Sequence, residues 1–276
     1  MALDRDPREL LAVAGEILDA ASERFLTGVG APSAVAKGRD DFATAVDLEL
    51  EKRVSGELSD RTGIAVHGEE FGGPSLREGA VWVLDPIDGT LNYSAGLPTA
   101  GILAALLVDG EPVLGLTWLP FVNRRYAAWV HGPVYEGGEE LPPLAPRTLS
   151  SSIVGMGALN VDSRGRIPGP FRLQVLAELS RTSSRIRIHG STGVDLAYTA
   201  AGILGAAVVF GHNAWDNAPG VALVRAAGGV VTDLRGAPWT VDSGSVLAAA
   251  PGVHAEILDI LGPLDNPASP HSGGLR

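Results

Sequence analysis

Apolar residues at Leu10, Ala14, Ile17, Leu18, Ala21 and Phe25 recur at helical spacing and predict a helix over residues 9–26. The stretch TGVGAPSA breaks it. A second stripe, Leu50, Val54 and Leu58 with charges opposite, predicts a helix from Thr44 to about Asp60. The pattern then changes to runs of strand length. GIAVHGEE and AVWVLD read as strands, the first ending in two glutamates. AGILAALLVDGEPVLGLTWLP and RRYAAWVHGPVYEGG read as a meander turning at DGEP and HGP.

Residues 137–148, GGEELPPLAPRT, are polar and proline-rich and mark the expected boundary between an N-terminal α+β half, residues 1–145, and a C-terminal α/β half, residues 146–262. In the second half SSIVGMGAL reads as a strand, GPFRLQVLAELSRT as a helix and SRIRIHG as a strand. STGVDLAYTAAGIL reads as a helix capped by Ser191 or Thr192, AAVVF as a strand, and DNAPGVALVRAAGG as a helix with Asp216 near its start and Gly228 as its stop. Residues 263–276 read as a disordered tail. Strands and helices mix without strict βαβ alternation, which predicts an α+β layered fold rather than a doubly wound sheet.

Composition narrows the function. The chain has 276 residues, 45% of them hydrophobic, enough for a sizeable core. A formal charge of −11 argues against nucleic-acid or anionic-membrane partners. Without cysteine, any metal must be held by oxygen or imidazole. The acidic start MALDRDPREL is no signal peptide, and the longest apolar stretch is too short for a bilayer, so a cytoplasmic protein is expected.

The chemistry concentrates in VWVLDPIDGTLNY. Pro86 is expected to stop the strand and Asp88-Gly89 to close a tight turn, aiming Asp85 and Asp88 at one point. Converging carboxylates repel unless one is protonated or a cation lies between them, and a hard divalent ion such as Mg²⁺ suits oxygen ligands. Other acids stand at structural punctuation: Glu69 and Glu70 after a strand, Asp216 at a helix start, Asp41 and Asp47 around Thr44. Taken singly, each also fits a charged loop or a helix cap. Gly89 permits close backbone approach, and Thr90 stands where a helix N-terminus could meet a phosphate.

GEE, WVLDPIDGTLNY and WDNAPGVALVRAAGG, in that order and spacing, resemble the inositol monophosphatase family, and DFATAVDLELEKRV and GSTGVDLAYTAAG fit the same pattern. The resemblance extends from about residue 9 to 260. It implies an αβαβα sandwich of the inositol monophosphatase / fructose-1,6-bisphosphatase type, usually a homodimer. It also implies Mg²⁺-dependent, lithium-sensitive hydrolysis of a small phosphorylated alcohol, with two or three ions and Mn²⁺ as a possible substitute. By the same resemblance Glu69, Asp85 and the Ile87 carbonyl hold the first ion, and Asp85, Asp88 and Asp216 the second. Glu69 completes a third site through water, and Glu70 and Asp47 support the outer shell. Thr90, with Glu69 or Asp47, orients the attacking water. Gly89 and Thr90 meet the phosphate, and Gly190, Ser191 and Thr192, with Asp216, lie near the substrate. Most metal ligands then fall in the first half, with Asp216 and the substrate contacts in the second.

Three positions depart from the family pattern. Val209 stands where the animal enzymes place an inositol-contacting glutamate, which leaves the alcohol open and brings in His212 and Asn213 as alternative contacts. Lys37 lies one residue closer to Asp41 than usual, and Pro219 replaces an alanine. The leading expectation is an inositol 1-phosphate phosphatase. The alternatives are fructose 1,6-bisphosphate, histidinol phosphate or a 3′-phosphonucleotide as substrate, or a non-catalytic metal- or phosphate-binding regulator. The histidines other than His212 show no metal-ligand spacing and read as surface or core residues.

Overall fold

The computed structural model describes residues 5–38 and 41–264. Helix α1 (Pro7–Thr27) is followed by an antiparallel ribbon, β1 (Ser33–Gly38) with β2 (Asp41–Thr44), and by helix α2 (Ala45–Thr62). A seven-stranded sheet takes β3 (Val66–Gly68), β4 (Ala80–Asp88), β5 (Gly101–Val108), β6 (Glu111–Leu119), β7 (Arg124–Trp129), β8 (Val134–Glu136) and β9 (Glu139–Glu140) in sequence order, with helix α3 (Thr90–Ala95) leaving the end of β4. The second sheet is built from β10 (Ile153–Met156), β11 (Arg185–Arg187), β12 (Ala206–Val209), β13 (Val230–Thr232) and β14 (Val246–Ala249), in the order β11-β10-β12-β14-β13. Its helices are α4 (Gly169–Thr182), α5 (Thr192–Ala200), α6 (Ala214–Ala226) and α7 (Val253–Leu261).

Strand alternation explains the layers. Trp82 and Leu84 of β4 join Ile102, Ala104 and Leu106 of β5 against the buried stripes of α1 and α2. Val81, Val83, Ala105 and Leu107 face the other way, into a core shared with α5, α6 and the five-stranded sheet. Helices α4 and α7 pack against each other and against β11 and β14. The result is the α+β sandwich αβαβα, as expected. The stripe read for the first helix is the buried set of α1. Asp109 and Gly110, both with positive φ, make the DGEP hairpin turn between β5 and β6.

Two expectations need correction. Pro86 does not stop the strand: β4 runs on to Asp88. Asp85 pairs with Leu103 and Asp88 with Gly101, so three steps on β4 match two on β5. That extra residue is a β-bulge, where a proline without an N–H is tolerated. In a regular strand, residues three apart face opposite sides; the bulge returns Asp88 to the side of Asp85. The two acids therefore share a side through a bulge rather than a turn, and Asp88 lies outside the set Glu69, Asp85 and Asp216 whose oxygens fall within 4.8 Å of one another. The ribbon β1–β2 and the late elements β13, β14 and α7 have no counterpart in the sequence reading. Residues 265–276 of the expected tail, and the side chain of Asp41, lie outside the described residues.

Candidate metal centre and active site

Three separate elements supply the acids. Glu69 follows β3 and its N–H donates to the Leu84 carbonyl (3.1 Å). Asp85 lies at the bulge, where its Oδ1 accepts from the Ile87 N–H (2.9 Å). Asp216 sits in the first turn of α6, with Asn213 Nδ2 donating to its Oδ2 (3.3 Å). One carboxylate oxygen from each of Glu69, Asp85 and Asp216 lies within 4.8 Å of the others. His67 of β3 stacks on Trp215 of α6 (centroids 5.9 Å apart), tying the segment of Glu69 to that of Asp216.

Asp88 faces the start of α5. Gly193 N–H donates to its Oδ2 (2.7 Å), Thr192 N–H to its Oδ1 (3.2 Å), and the Ser191 hydroxyl also donates to Oδ2. Helix N-terminal N–H groups favour an anion there. Gly89 has φ +84°, and a Cβ on it would stand 3.0 Å from the Thr99 carbonyl and 3.2 Å from the Gly190 carbonyl. The backbone after β4 can lie this close to the segment before α5 only at a glycine.

Electrostatics mark the cluster. Burial first, then the neighbouring carboxylates Glu69, Asp216 and Asp88, holds the Asp85 pKa well above its ordinary value. Burial, then Asp88 and Glu69, does the same to Asp216. Asp88 is pushed up to about 6 by burial, against the pull of its Ser191, Gly193 and Thr192 donors. Among the described residues the cation nearest these acids is Lys37, whose Nζ lies 2.6 Å from both Glu69 Oε1 and Glu70 Oε1. Burial works to lower the Lys37 pKa, and the hydrogen bonds it donates to Glu69 and Glu70 outweigh that and raise it. Lys37 thus reaches these acids from an exposed strand.

The water-orienting candidates also meet. Thr90 Oγ1 lies 3.3 Å from Asp47 Oδ1 and 3.0 Å from the Ile87 carbonyl oxygen. Asp47 is fully buried and completes a capping box with Thr44 at the start of α2, so the cap and the site share one residue. Gly190 and Thr192 flank Ser191, which is 4% exposed and whose hydroxyl both serves Asp88 and caps α5. His212 is exposed, and Asn213 is engaged with Asp216.

Sequence reasoning missed Glu51, Asn92 and Asp195. Glu51 is 1% exposed and accepts the N–H groups of Glu70 and Phe71 (2.8 Å each), fixing the segment that carries Glu69. Its signal was available: Asp47, Glu51, Val54 and Leu58 form one stripe at helical spacing, and all are buried. Asn92 Nδ2 donates to the Thr99 and His189 carbonyls (2.8 Å each), bracing the segment before α5. Asp195, buried on α5, takes His189 Nδ1 at 2.5 Å.

A family model described as "Inositol monophosphatase family" matches residues 6–261. The chain is 62% identical to inositol-1-monophosphatase ImpA of Mycolicibacterium smegmatis over 93% of this chain and 94% of that protein. It is 57% identical to a probable inositol 1-monophosphatase ImpA of Mycobacterium tuberculosis over 97% and 99% of the two chains. A solved Thermotoga maritima IMPase structure superposes with a TM-score of 0.81 at 26% identity, covering 90% of this chain and 94% of that one. The chain therefore belongs to the inositol monophosphatase family, a family of phosphoric monoester hydrolases.

Proposed function

We propose that the chain is a Mg²⁺-dependent phosphatase of small phosphorylated alcohols, with inositol 1-phosphate as the leading substrate. One observation carries the reading: carboxylates from three elements converge at Glu69, Asp85 and Asp216, and two of them, Asp85 and Asp216, have no basic partner among the described residues. The donors are all oxygen, which fits a hard divalent cation, Mg²⁺ or Mn²⁺. Glu69, Asp85 and the Ile87 carbonyl would hold one ion, and Asp85, Asp88 and Asp216 a second, with a third reached from Glu69 through water. Bound there, such ions supply Lewis-acid neutralisation of phosphoryl charge and a water acidic enough to ionise near neutral pH.

The chain's own groups would do the rest. Thr90 Oγ1 would accept a proton of the attacking water and pass its own to Asp47 Oδ1, 3.3 Å away. Burial raises the Asp47 pKa, which makes that carboxylate a better proton acceptor. Gly89 and Thr90 would meet the phosphate, and Gly190 and Thr192, beside Ser191, the alcohol. No side-chain nucleophile is required: the chain lacks cysteine, and the Ser191 hydroxyl is committed to Asp88. Among the described residues no helix is long and apolar enough to cross a membrane, in keeping with a cytoplasmic enzyme. A homodimer is part of the same reading.

The experiment is phosphate release from inositol, sugar, histidinol and nucleotide phosphates, with and without Mg²⁺ and with added lithium. Release that needs Mg²⁺, falls with lithium and is fastest on inositol 1-phosphate supports the reading. A chain that binds Mg²⁺ yet releases no phosphate from any of them is a regulator instead. Val209, apolar and buried, favours as a second reading another ester of the same class: fructose 1,6-bisphosphate, histidinol phosphate or a 3′-phosphonucleotide.

A further inference from the structure

The start of α5 sorts the two oxygens of Asp88. Oδ2 accepts from the Ser191 hydroxyl and the Gly193 N–H, and Oδ1 from the Thr192 N–H. A carboxylate offers about four lone-pair sites. Three are taken, and the remaining one is on Oδ1. The turn 190–193 therefore decides which oxygen of Asp88 is free for a metal ion and where it is aimed. Whatever holds that turn also holds the centre.

The turn is pinned by three contacts. Asn92 of α3 donates its Nδ2 hydrogen to the His189 carbonyl (2.8 Å). The Ser191 hydroxyl oxygen accepts from the Val194 N–H (3.2 Å), capping α5. Third, His189 Nδ1 meets Asp195 Oδ1 at 2.5 Å. This contact closes the segment 189–195 into a ring around Ser191.

The ring is built into the protein rather than laid on its surface. Asp195 is 1% exposed. A Cβ on Gly155 of β10 would lie 2.6 Å from Asp195 Oδ1, so a side chain there would push the carboxylate off His189. The His189 ring stands edge-on to Tyr198, further along α5 (centroids 6.0 Å apart, planes at 90°). Tyr198 in turn meets Tyr126 of β7, its centroid 6.4 Å away. Burial pushes the Asp195 pKa up to about 6, and the hydrogen bond from His189 pulls against it. A buried carboxylate stripped of that donor would have to find another partner, and the turn would move with it.

We propose that His189 and Asp195 are a positioning pair for the metal centre: they clamp the turn 190–193, fix the α5 donors that orient Asp88, and so set the affinity for the ion Asp88 would hold. This rests on the metal-dependent phosphatase reading above. The rival explanation is that the pair only stabilises the start of α5.

The test is a calorimetric Mg²⁺ titration, read beside Tm and the Mg²⁺ dependence of phosphate release from inositol 1-phosphate. His189→Ala should weaken Mg²⁺ binding roughly 10–100-fold, the range for groups that orient metal ligands. Excess Mg²⁺ should recover most of the lost turnover. His189→Asn places an amide N–H near the position of the ring Nδ1 and should bind Mg²⁺ much as the parent does. His189→Gln, of similar size, places its amide near the position of Nε2 and should not. That contrast decides the matter even if His189→Ala does not fold. His254→Ala removes a buried histidine of α7 bonded to Thr232 (2.9 Å), and should lower Tm while leaving Mg²⁺ affinity unchanged. Equal Mg²⁺ affinity in the Asn and Gln variants, or a loss in His254→Ala as large as in His189→Ala, overturns the inference and leaves the phosphatase reading standing. A parent that neither binds Mg²⁺ nor releases phosphate overturns both.

Discussion

Two regions of this molecule collect carboxylates, and they treat them in opposite ways. A cleft of about 830 Å³ lies between α1 and strands β6 and β7, lined by Trp118 and Trp129 among others. Two of its three acids are matched: Asp19 meets Arg125 at 2.5 Å and the Trp118 Nε1–H at 2.7 Å, and Glu16 meets Arg61 at 2.6 Å, while Glu140 stands exposed to water. At the metal centre Asp85 and Asp216 lie deeper and, beyond the Ile87 N–H and the Asn213 amide that donate to them, meet other acids and no basic side chain among the described residues. Matched charges at a surface contribute little either way. Unmatched charges in the interior must bind protons or a cation, so the deeper collection of acids is where a function is to be sought.

The largest effect expected from this contrast is at Asp85. Asp85→Asn should reduce turnover by more than the roughly 10–100-fold typical of outer-shell partners, measured as phosphate release under saturating Mg²⁺. A rate near the parent's would remove Asp85 from the centre. Next comes the dependence of stability on pH. The Asp85, Asp216 and Asp88 pKa values are raised in the fold, so the folded state binds more protons than the unfolded chain between their two pKa values. Metal-free stability should therefore be greatest below the ordinary carboxylate range and fall as pH rises; for Asp88 the loss runs from 3.8 to about 6 and amounts to about 3 kcal/mol. Mg²⁺ should restore it, so the Mg²⁺-induced rise in Tm should be larger at pH 7.5 than at pH 5. A rise independent of pH would separate the metal from these acids.

Glu51→Ala should act at one remove. It leaves the N–H groups of Glu70 and Phe71 without their acceptor, costing about 1–3 kcal/mol for each group left buried, and weakens Mg²⁺ binding by roughly 10–100-fold. A denaturant melt and a calorimetric Mg²⁺ titration read the two effects. Smallest is Arg125→Ala in the cleft, expected to change stability by no more than about 1 kcal/mol and phosphate release not at all. A large loss of activity there would make the cleft part of the working site and undo the contrast.

What could be read from the chain follows the same division. The stripe of α1 and Asp85 in VWVLDPIDGTLNY are local patterns, and both are legible in the sequence. The bulge is not, because it exists only in the register between β4 and β5. Glu51 and Lys37 take their meaning from partners 19 to 33 residues away, and Asp88 from Ser191, 103 residues on. His189 reads as a surface or core residue until Asp195 is placed beside it. Strands β13 and β14, three and four residues long, are too short for alternation to register. Val253, Ile257 and Leu261 of α7 form a stripe at helical spacing that the sequence does show.

The most direct test is the thermal stability of parent and Asp85→Asn at pH 7.5, first with chelator and then with millimolar Mg²⁺. Without metal, Asp85→Asn should unfold at a higher temperature than the parent, because it relieves a repulsion; adding Mg²⁺ should raise the parent strongly and the variant little. A metal-free Asp85→Asn less stable than the parent, together with a parent indifferent to Mg²⁺, would contradict the account.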